Sequence, residues 1–230
     1  MTSSFAAVTS PETPTKLSLE VFSDFICPWC YIGHRRLTLA REALGGELAV
    51  DVQWLPFELN PGMHVGGHDR REYRSAKFGS WEQSQRLDAG TVEAGAPDGV
   101  EFRYDLMTRT PNTMAAHQLV WSARDTERQD DLVQRLFRAY FTEGRDISER
   151  AVLAELAQAA GLPSGYAADA WDDEQASARV REQEARAHSV GLRGVPHYVL
   201  GGRYGFSGAV PTEELVRLLR QVAAQSQASS

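Results

Sequence analysis

Two cysteines with a proline and a tryptophan between them, Cys27-Pro28-Trp29-Cys30, stand where one hydrophobic period gives way to another. Ahead of them Leu17, Leu19, Val21 and Phe22 follow the alternating pattern of a strand that ends at Ser23-Asp24. Behind them Tyr31, Ile32, Leu37, Leu39 and Leu44 recur at mixed helical spacings until Gly45-Gly46 stops the run. A second strand over residues 48–57 completes a βαβ unit. The dithiol therefore opens a helix, where unpaired N–H groups and the helix dipole favour negative charge. Pro28 occupies the first turn without forfeiting a needed hydrogen bond. The spacing predicts an exposed Cys27, acidified below the ordinary thiol value of about 8.5, as the attacking sulfur. Cys30, one turn further in, is then the sulfur that resolves a mixed disulfide. No charged side chain lies between the two, which leaves the helix field as the main activating influence.

Two cysteines at this spacing are also half of a zinc site, with His34 four positions beyond Cys30. The chain holds no second cysteine pair, and a strand-to-helix junction is a poor tetrahedral cage, so no metal is expected. A purely structural pair is disfavoured because Pro-Trp at a helix start wastes buried packing. With 230 residues, 42% of them apolar, the chain can bury the core of one large domain or of a domain carrying an inserted one. A net charge of -7 and a pI near 5.4 supply no basic field for nucleic acid or anionic lipid. No run of 18 apolar residues is present to span a membrane. Residues 1–16, rich in Ser, Thr and Pro, read as a disordered tail rather than a secretion signal. Two cysteines three positions apart make no extracellular disulfide framework, so the expectation is a soluble, cytoplasmic dithiol protein.

Beyond the βαβ unit the pattern turns helical. Ala116, Leu119, Val120 and Ala123 form one stripe; Leu132, Val133, Leu136, Phe137, Tyr140 and Phe141 form a second. Leu153, Leu156 and Ala160 form a third, with Ser148 as expected cap and Gly161 as stop. A charge-rich helix is expected over 174–189, and a weaker helical pattern over 71–83. Strand character returns at 197–200, followed by a Gly201-Gly202 turn and a strand over 203–207. A final helix is expected after Pro211, capped by Thr212 and burying Leu215, Leu218, Leu219 and Val222. No internal repeat is found.

Three segments carry a resemblance. Residues Cys27-Pro28-Trp29-Cys30-Tyr31-Ile32-Gly33, the run Pro56-Phe57-Glu58-Leu59-Asn60-Pro61, and Gly194-Val195-Pro196 followed by Ser207-Gly208-Ala209 resemble the FrnE-like branch of the DsbA family, over nearly all of 17–225. The resemblance implies an α/β, thioredoxin-like fold with an inserted all-helical domain: 17–58 and 189–225 as the thioredoxin-like part, 59–188 as the insertion, 226–230 as a flexible tail. It implies a protein disulfide oxidoreductase with Cys27 and Cys30 as the catalytic pair and no cofactor beyond their disulfide. It also implies a cis bond between Val195 and Pro196 opposite the dithiol. That kink would leave the Val195 backbone free to bond an extended substrate. Pro28, Trp29, Asn60, His197 and Ser207 complete the expected substrate contacts. Expected partners are thiol or disulfide substrates, protein or small molecule, with glutathione as candidate co-substrate; the chain is expected as monomer or homodimer.

Kappa-class glutathione transferases and 2-hydroxychromene-2-carboxylate isomerases share features around Asn60, Val195-Pro196 and Ser207-Gly208 but usually carry serine where this chain has Cys27. A glutathione-dependent isomerase or transferase is therefore the alternative reading, and a non-enzymatic chaperone using a cleft between lobes is another. Among the remaining residues, His197 either adjusts the Cys27 environment or points to the far side of its strand. His117, beside an apolar stripe, reads more readily as a satisfied core residue than as a catalyst. His64 and His68 read as loop residues because Gly66-Gly67 lies between them, and Trp121, Phe137, Tyr140 and Phe141 as the core of the inserted lobe.

Overall fold

Strand β1 (Thr15–Ser23) pairs in parallel with β2 (Leu48–Pro56) on one side and antiparallel with β5 (His197–Leu200) on the other. β5 continues antiparallel into β6 (Tyr204–Ser207), giving the order β2-β1-β5-β6. The structure, a computed structural model, describes residues 15–228. Most of the expected N-terminal tail lies outside that span, and Thr15 and Lys16 already belong to β1. At the other end, helix α9 (Thr212–Ala228) extends into the expected tail.

The alternation of β1 divides the sheet into two faces. Leu17, Leu19 and Val21 are buried with Ile32, Leu37, Ala40 and Leu44 of α1 (Pro28–Leu44) and with Leu215 and Leu219 of α9. Leu200 and Tyr198 stand opposite Leu19 and Val21 and so share this face. Phe22 points the other way and packs with Leu55, Phe57, Ala187 and Leu192. α1 ends at Gly45, whose φ of 52° suits a residue without Cβ. Thr212 is the first residue of α9 rather than its cap, and its Oγ1 is buried with no partner among the described residues.

Between β2 and β5 the chain is mostly helical: α2 (Arg70–Phe78), α3 (Trp81–Gly95), α4 (Met114–Ser122), α5 (Gln129–Phe141), α6 (Arg150–Ala159), α7 (Tyr166–Asp172) and α8 (Ala176–Ser189). A two-residue ladder joins β3 (His68–Asp69) to β4 (Arg109–Thr110). The helix expected over 71–83 is instead two helices. Gly79 (φ 92°) breaks the chain and the Ser80 side chain accepts from the Gln83 N–H at 3.1 Å. α3 gave little periodic signal because its buried side is polar. Asp88 on that side binds the buried Arg70 and also Arg74, each at 2.6 Å. Ser148 does not cap α6; its Oγ donates to Asp146 Oδ1 at 2.7 Å and Glu149 takes the cap position.

The helices share one apolar core with the sheet. Tyr31 stacks on Phe141 (5.7 Å, 8°) and on Phe137 (5.6 Å, 18°), so the dithiol helix is clamped against α5. Phe137, Tyr140 and Phe141 are core residues as expected, whereas Trp121 is only half-buried and packs beside Phe22 and Phe57.

α1 approaches the sheet tightly at Gly33. A Cβ there would lie 2.4 Å from Tyr198 Oη and 3.1 Å from Pro196 Cγ. Gly33→Ala gains about 1 kcal/mol in helix propensity but forces the rigid Tyr198 ring off its site. Its expected net effect is a loss of about 1–2 kcal/mol in urea unfolding. Gly33→Ala/Tyr198→Phe, which removes the obstructing oxygen, recovers at least half of that loss.

Candidate active site

The turn that ends β1 delivers the dithiol to the opening of α1. The Cys27 N–H donates to Asp24 O at 3.1 Å, and Cys27 itself is extended (φ -93°, ψ 113°) as the N-cap, with Pro28 next in the first turn. Its carbonyl accepts from the Cys30 N–H at 3.0 Å, which fixes Cys30 one turn further in. Both thiols are free. Cys27 is not exposed as expected: only 5% of its surface is accessible, because the Val195 segment lies over it and the Cys27 thiol donates to Val195 O at 3.5 Å. Trp29, 43% accessible, holds the exposed position instead. Cys30 is wholly buried. Burial pushes its thiol pKa well up and the neighbouring Cys27 raises it further, while the Ser23 hydroxyl and the Asp24 backbone draw it down.

The Val195–Pro196 bond is cis. Beside it opens a groove of about 480 Å³ lined by Val190, Arg193, Val195, Pro196, His197 and Ser207. A sulfur at a helix opening against the carbonyl that precedes a cis proline, on a β2-β1-β5-β6 sheet, agrees with the sequence profile of the DsbA-like thioredoxin domain, which matches residues 18–220. The chain belongs to that family.

Among solved members and neighbours, a probable DsbA oxidoreductase from Streptomyces coelicolor is 32% identical, with 89% of each chain covered and a TM-score of 0.78. A 2-hydroxychromene-2-carboxylate isomerase shares the fold at 16% identity (TM-score 0.71, 93% of this chain and 99% of that one). So does the cytosolic disulfide reductase DsbM of Pseudomonas aeruginosa, solved with GSH, at 22% identity (TM-score 0.60, 92% and 98%).

In this DsbA-like chain the other expected contacts fall in different places. His197 stands opposite Phe22, on the sheet face away from α1, where its Nδ1 lies 2.7 Å from Ser207 Oγ. Burial lowers the His197 pKa, so near neutral pH the ring is largely uncharged. Strand alternation thus turns it and Ser207 toward the groove rather than the sulfurs. Asn60 Nδ2 donates to Met63 Sδ at 3.6 Å and holds its own loop. His34 lies beside Trp54 with Nε2 3.7 Å from Asp130. His64 and His68 belong to the 64–69 segment, His64 accepting from the Gly66 N–H and His68 stacking on Tyr73.

Sequence reasoning missed a buried acidic network that starts at Asp24, where β1 ends. Asp24, wholly buried, has Oδ1 3.2 Å from His117 Nε2 and accepts from the Leu59 N–H on Oδ2 at 2.7 Å. Glu184 of α8 accepts from the Glu58 N–H at 2.7 Å. Both oxygens of Glu58 are buried and have no partner among the described residues. Burial raises its pKa to about 7; the Glu184 and Asp24 carboxylates add to the rise, and His117 and Arg181 oppose it. Glu58 lies within the Pro56–Pro61 run, and Glu184 is one of several charges in the charge-rich segment 174–189. Nothing in one-dimensional spacing brings these residues together.

The raised pKa has a definite sign in stability. Folded Glu58 holds its proton more tightly than the unfolded chain, so its contribution is full below about pH 4.5 and is lost as pH rises through about 7. Glu58→Gln mimics the protonated acid. The variant is expected to match wild type near pH 4.5 and exceed it by about 3 kcal/mol near pH 8.5 in urea unfolding.

Proposed function

We propose that this chain is a thiol–disulfide oxidoreductase whose working pair is Cys27 and Cys30. The observation that carries the reading is the Cys27 sulfur at the opening of α1, 3.5 Å from the carbonyl before cis-Pro196, with Cys30 one turn behind it. The Cys27 thiolate attacks one sulfur of a substrate disulfide. That S–S bond breaks, one substrate sulfur leaves as thiolate and takes up a proton, and the other stays bonded to Cys27. Cys30 then attacks the Cys27 sulfur, releasing the second substrate thiol and closing the Cys27–Cys30 disulfide. Two molecules of a small thiol such as glutathione regenerate the dithiol by the same exchange and leave joined as their own disulfide.

In this reading Trp29 and Pro28 line the approach to Cys27, and Val195, Pro196, His197 and Ser207 offer the groove beside it. We place the protein in the FrnE-like branch on the quoted Cys27–Gly33 and Pro56–Pro61 residues. We place its activity in the cytoplasm on its cysteine usage, where reduction or isomerisation of disulfides is the favoured direction. The cysteine at position 27 is what separates this reading from the glutathione-dependent isomerase or transferase of the same fold.

Equilibration across glutathione redox buffers, followed by thiol alkylation and Trp29 fluorescence, is expected to show a reversible two-electron couple. Insulin reduction is lost in Cys27→Ala. Cys30→Ala is expected to accumulate a Cys27–glutathione mixed disulfide, visible by mass spectrometry. A pair that never cycles, together with tight glutathione binding by Cys27→Ser, would replace this reading with the isomerase or transferase.

A further inference from the structure

Among the described residues two buried hydroxyls near the dithiol make no hydrogen bond of ordinary length: Ser23 Oγ at the end of β1, close enough to Cys30 to draw its thiol pKa down, and Tyr198 Oη in β5. Such groups are costly in a protein interior, and alanine or phenylalanine would avoid the cost. Their placement is specific. Tyr198 stands opposite Val21, and Val21 and Ser23 are two apart on one strand, so all three share the sheet face covered by α1. The Tyr198 ring is held by stacking on Phe206 at 4.7 Å and 12°. Its oxygen reaches the backbone of Gly33, 2.4 Å from where a Cβ would be, and Gly33 follows Cys30 by three positions on the same helix face. Pro196 closes the same corner at 3.1 Å from that point.

We propose that Ser23 and Tyr198 form a thiolate cradle for Cys30, two positioning hydroxyls that donate to its sulfur when it loses its proton to resolve the mixed disulfide. The inference rests on the oxidoreductase reading and deepens it. Cys30 is the sulfur with the greater need, being wholly buried, and burial opposes its ionisation. The groups that face it are Cys27 at the opening of α1, Ser23 and the Asp24 backbone at the end of β1, and Tyr198 of β5. Arg36 of α1 bears on Tyr198, and Asp24 links the corner to His117 and Glu58 below. The ionisation of Tyr198 is opposed first by burial and then by Cys30, ahead of Cys27, so its hydroxyl remains a donor.

In the step concerned the Cys30 thiol gives its proton to solvent and its sulfur attacks the Cys27 sulfur. The Cys27–substrate bond breaks with its electron pair on the substrate sulfur, which takes a proton from solvent. The cysteine pair is oxidised by two electrons and the substrate disulfide reduced by two. A hydroxyl donor lowers the cost of the buried thiolate without being consumed.

The test is stopped-flow decay of the Cys27–glutathione mixed disulfide in wild type, Ser23→Ala, Tyr198→Phe and the double variant, from about pH 6 to 10. Each single variant is expected to slow resolution roughly tenfold at pH 7, to shift the rate profile to higher pH, and to keep the wild-type plateau at high pH. Tyr198→Phe keeps the ring and its stacking, so it reports on the hydroxyl even if Ser23→Ala folds poorly. Unchanged rates and profile in Tyr198→Phe would overturn the cradle while leaving the oxidoreductase intact. Wild type that never resolves the mixed disulfide would overturn the reading beneath it.

Discussion

The pairing of β1 with β5 joins two stretches that lie far apart in the chain. Val21 stands opposite Tyr198 and Phe22 opposite His197, so the residues just before the dithiol and those just after the cis proline become neighbours. From that register comes the contact between Cys27 and Val195, and from it also comes the division of labour at the strand end. Tyr198 and Pro196 meet the dithiol helix at Gly33, while His197 faces the groove with Ser207. A slip of one residue would exchange those faces and put an imidazole where the phenol now lies. The burial of Tyr198, Leu200, Leu19 and Val21 in one core is what resists such a slip.

The same corner concentrates polar groups that a core normally excludes. Among the described residues both Glu58 carboxylate oxygens lie buried without a partner, Asp24 and His117 pair with each other, and the Ser23 and Tyr198 hydroxyls make no hydrogen bond of ordinary length. The unpartnered ones among them lower the stability of the fold. The Ser23 hydroxyl and the Asp24 backbone bear on the Cys30 thiol, and the Asp24 carboxylate links that corner to His117. The helices between β2 and β5 contribute directly to this environment, His117 from α4 and Glu184 from α8, so their role reaches beyond covering the sheet.

The dithiol, the first strand and helix, the final hairpin and the last helix were legible because each has a short-range signature: alternation, a glycine stop, or an i, i+3, i+4, i+7 stripe. α3 and α7 were not. α3 turns a polar face inward around Asp88, and α7 has too few turns to establish a period. The caps expected at Ser148 and Thr212 failed because a hydroxyl near a helix start competes with other local acceptors or is simply swallowed by packing.

At the site, the sequence by itself determined the placement of the two sulfurs: two cysteines at a helix opening, one at its cap and one a turn inside. Spacing along the chain settles this, because helix geometry carries Cys30 one turn inward from Cys27. Tertiary structure alone decided how exposed Cys27 is, which face His197 takes, that Ser23, Asp24 and Tyr198 bear on the pair, and that His117, Glu58 and Glu184 gather about Asp24. Those features depend on burial and on strand register between distant segments, and neither leaves a periodic mark in the sequence.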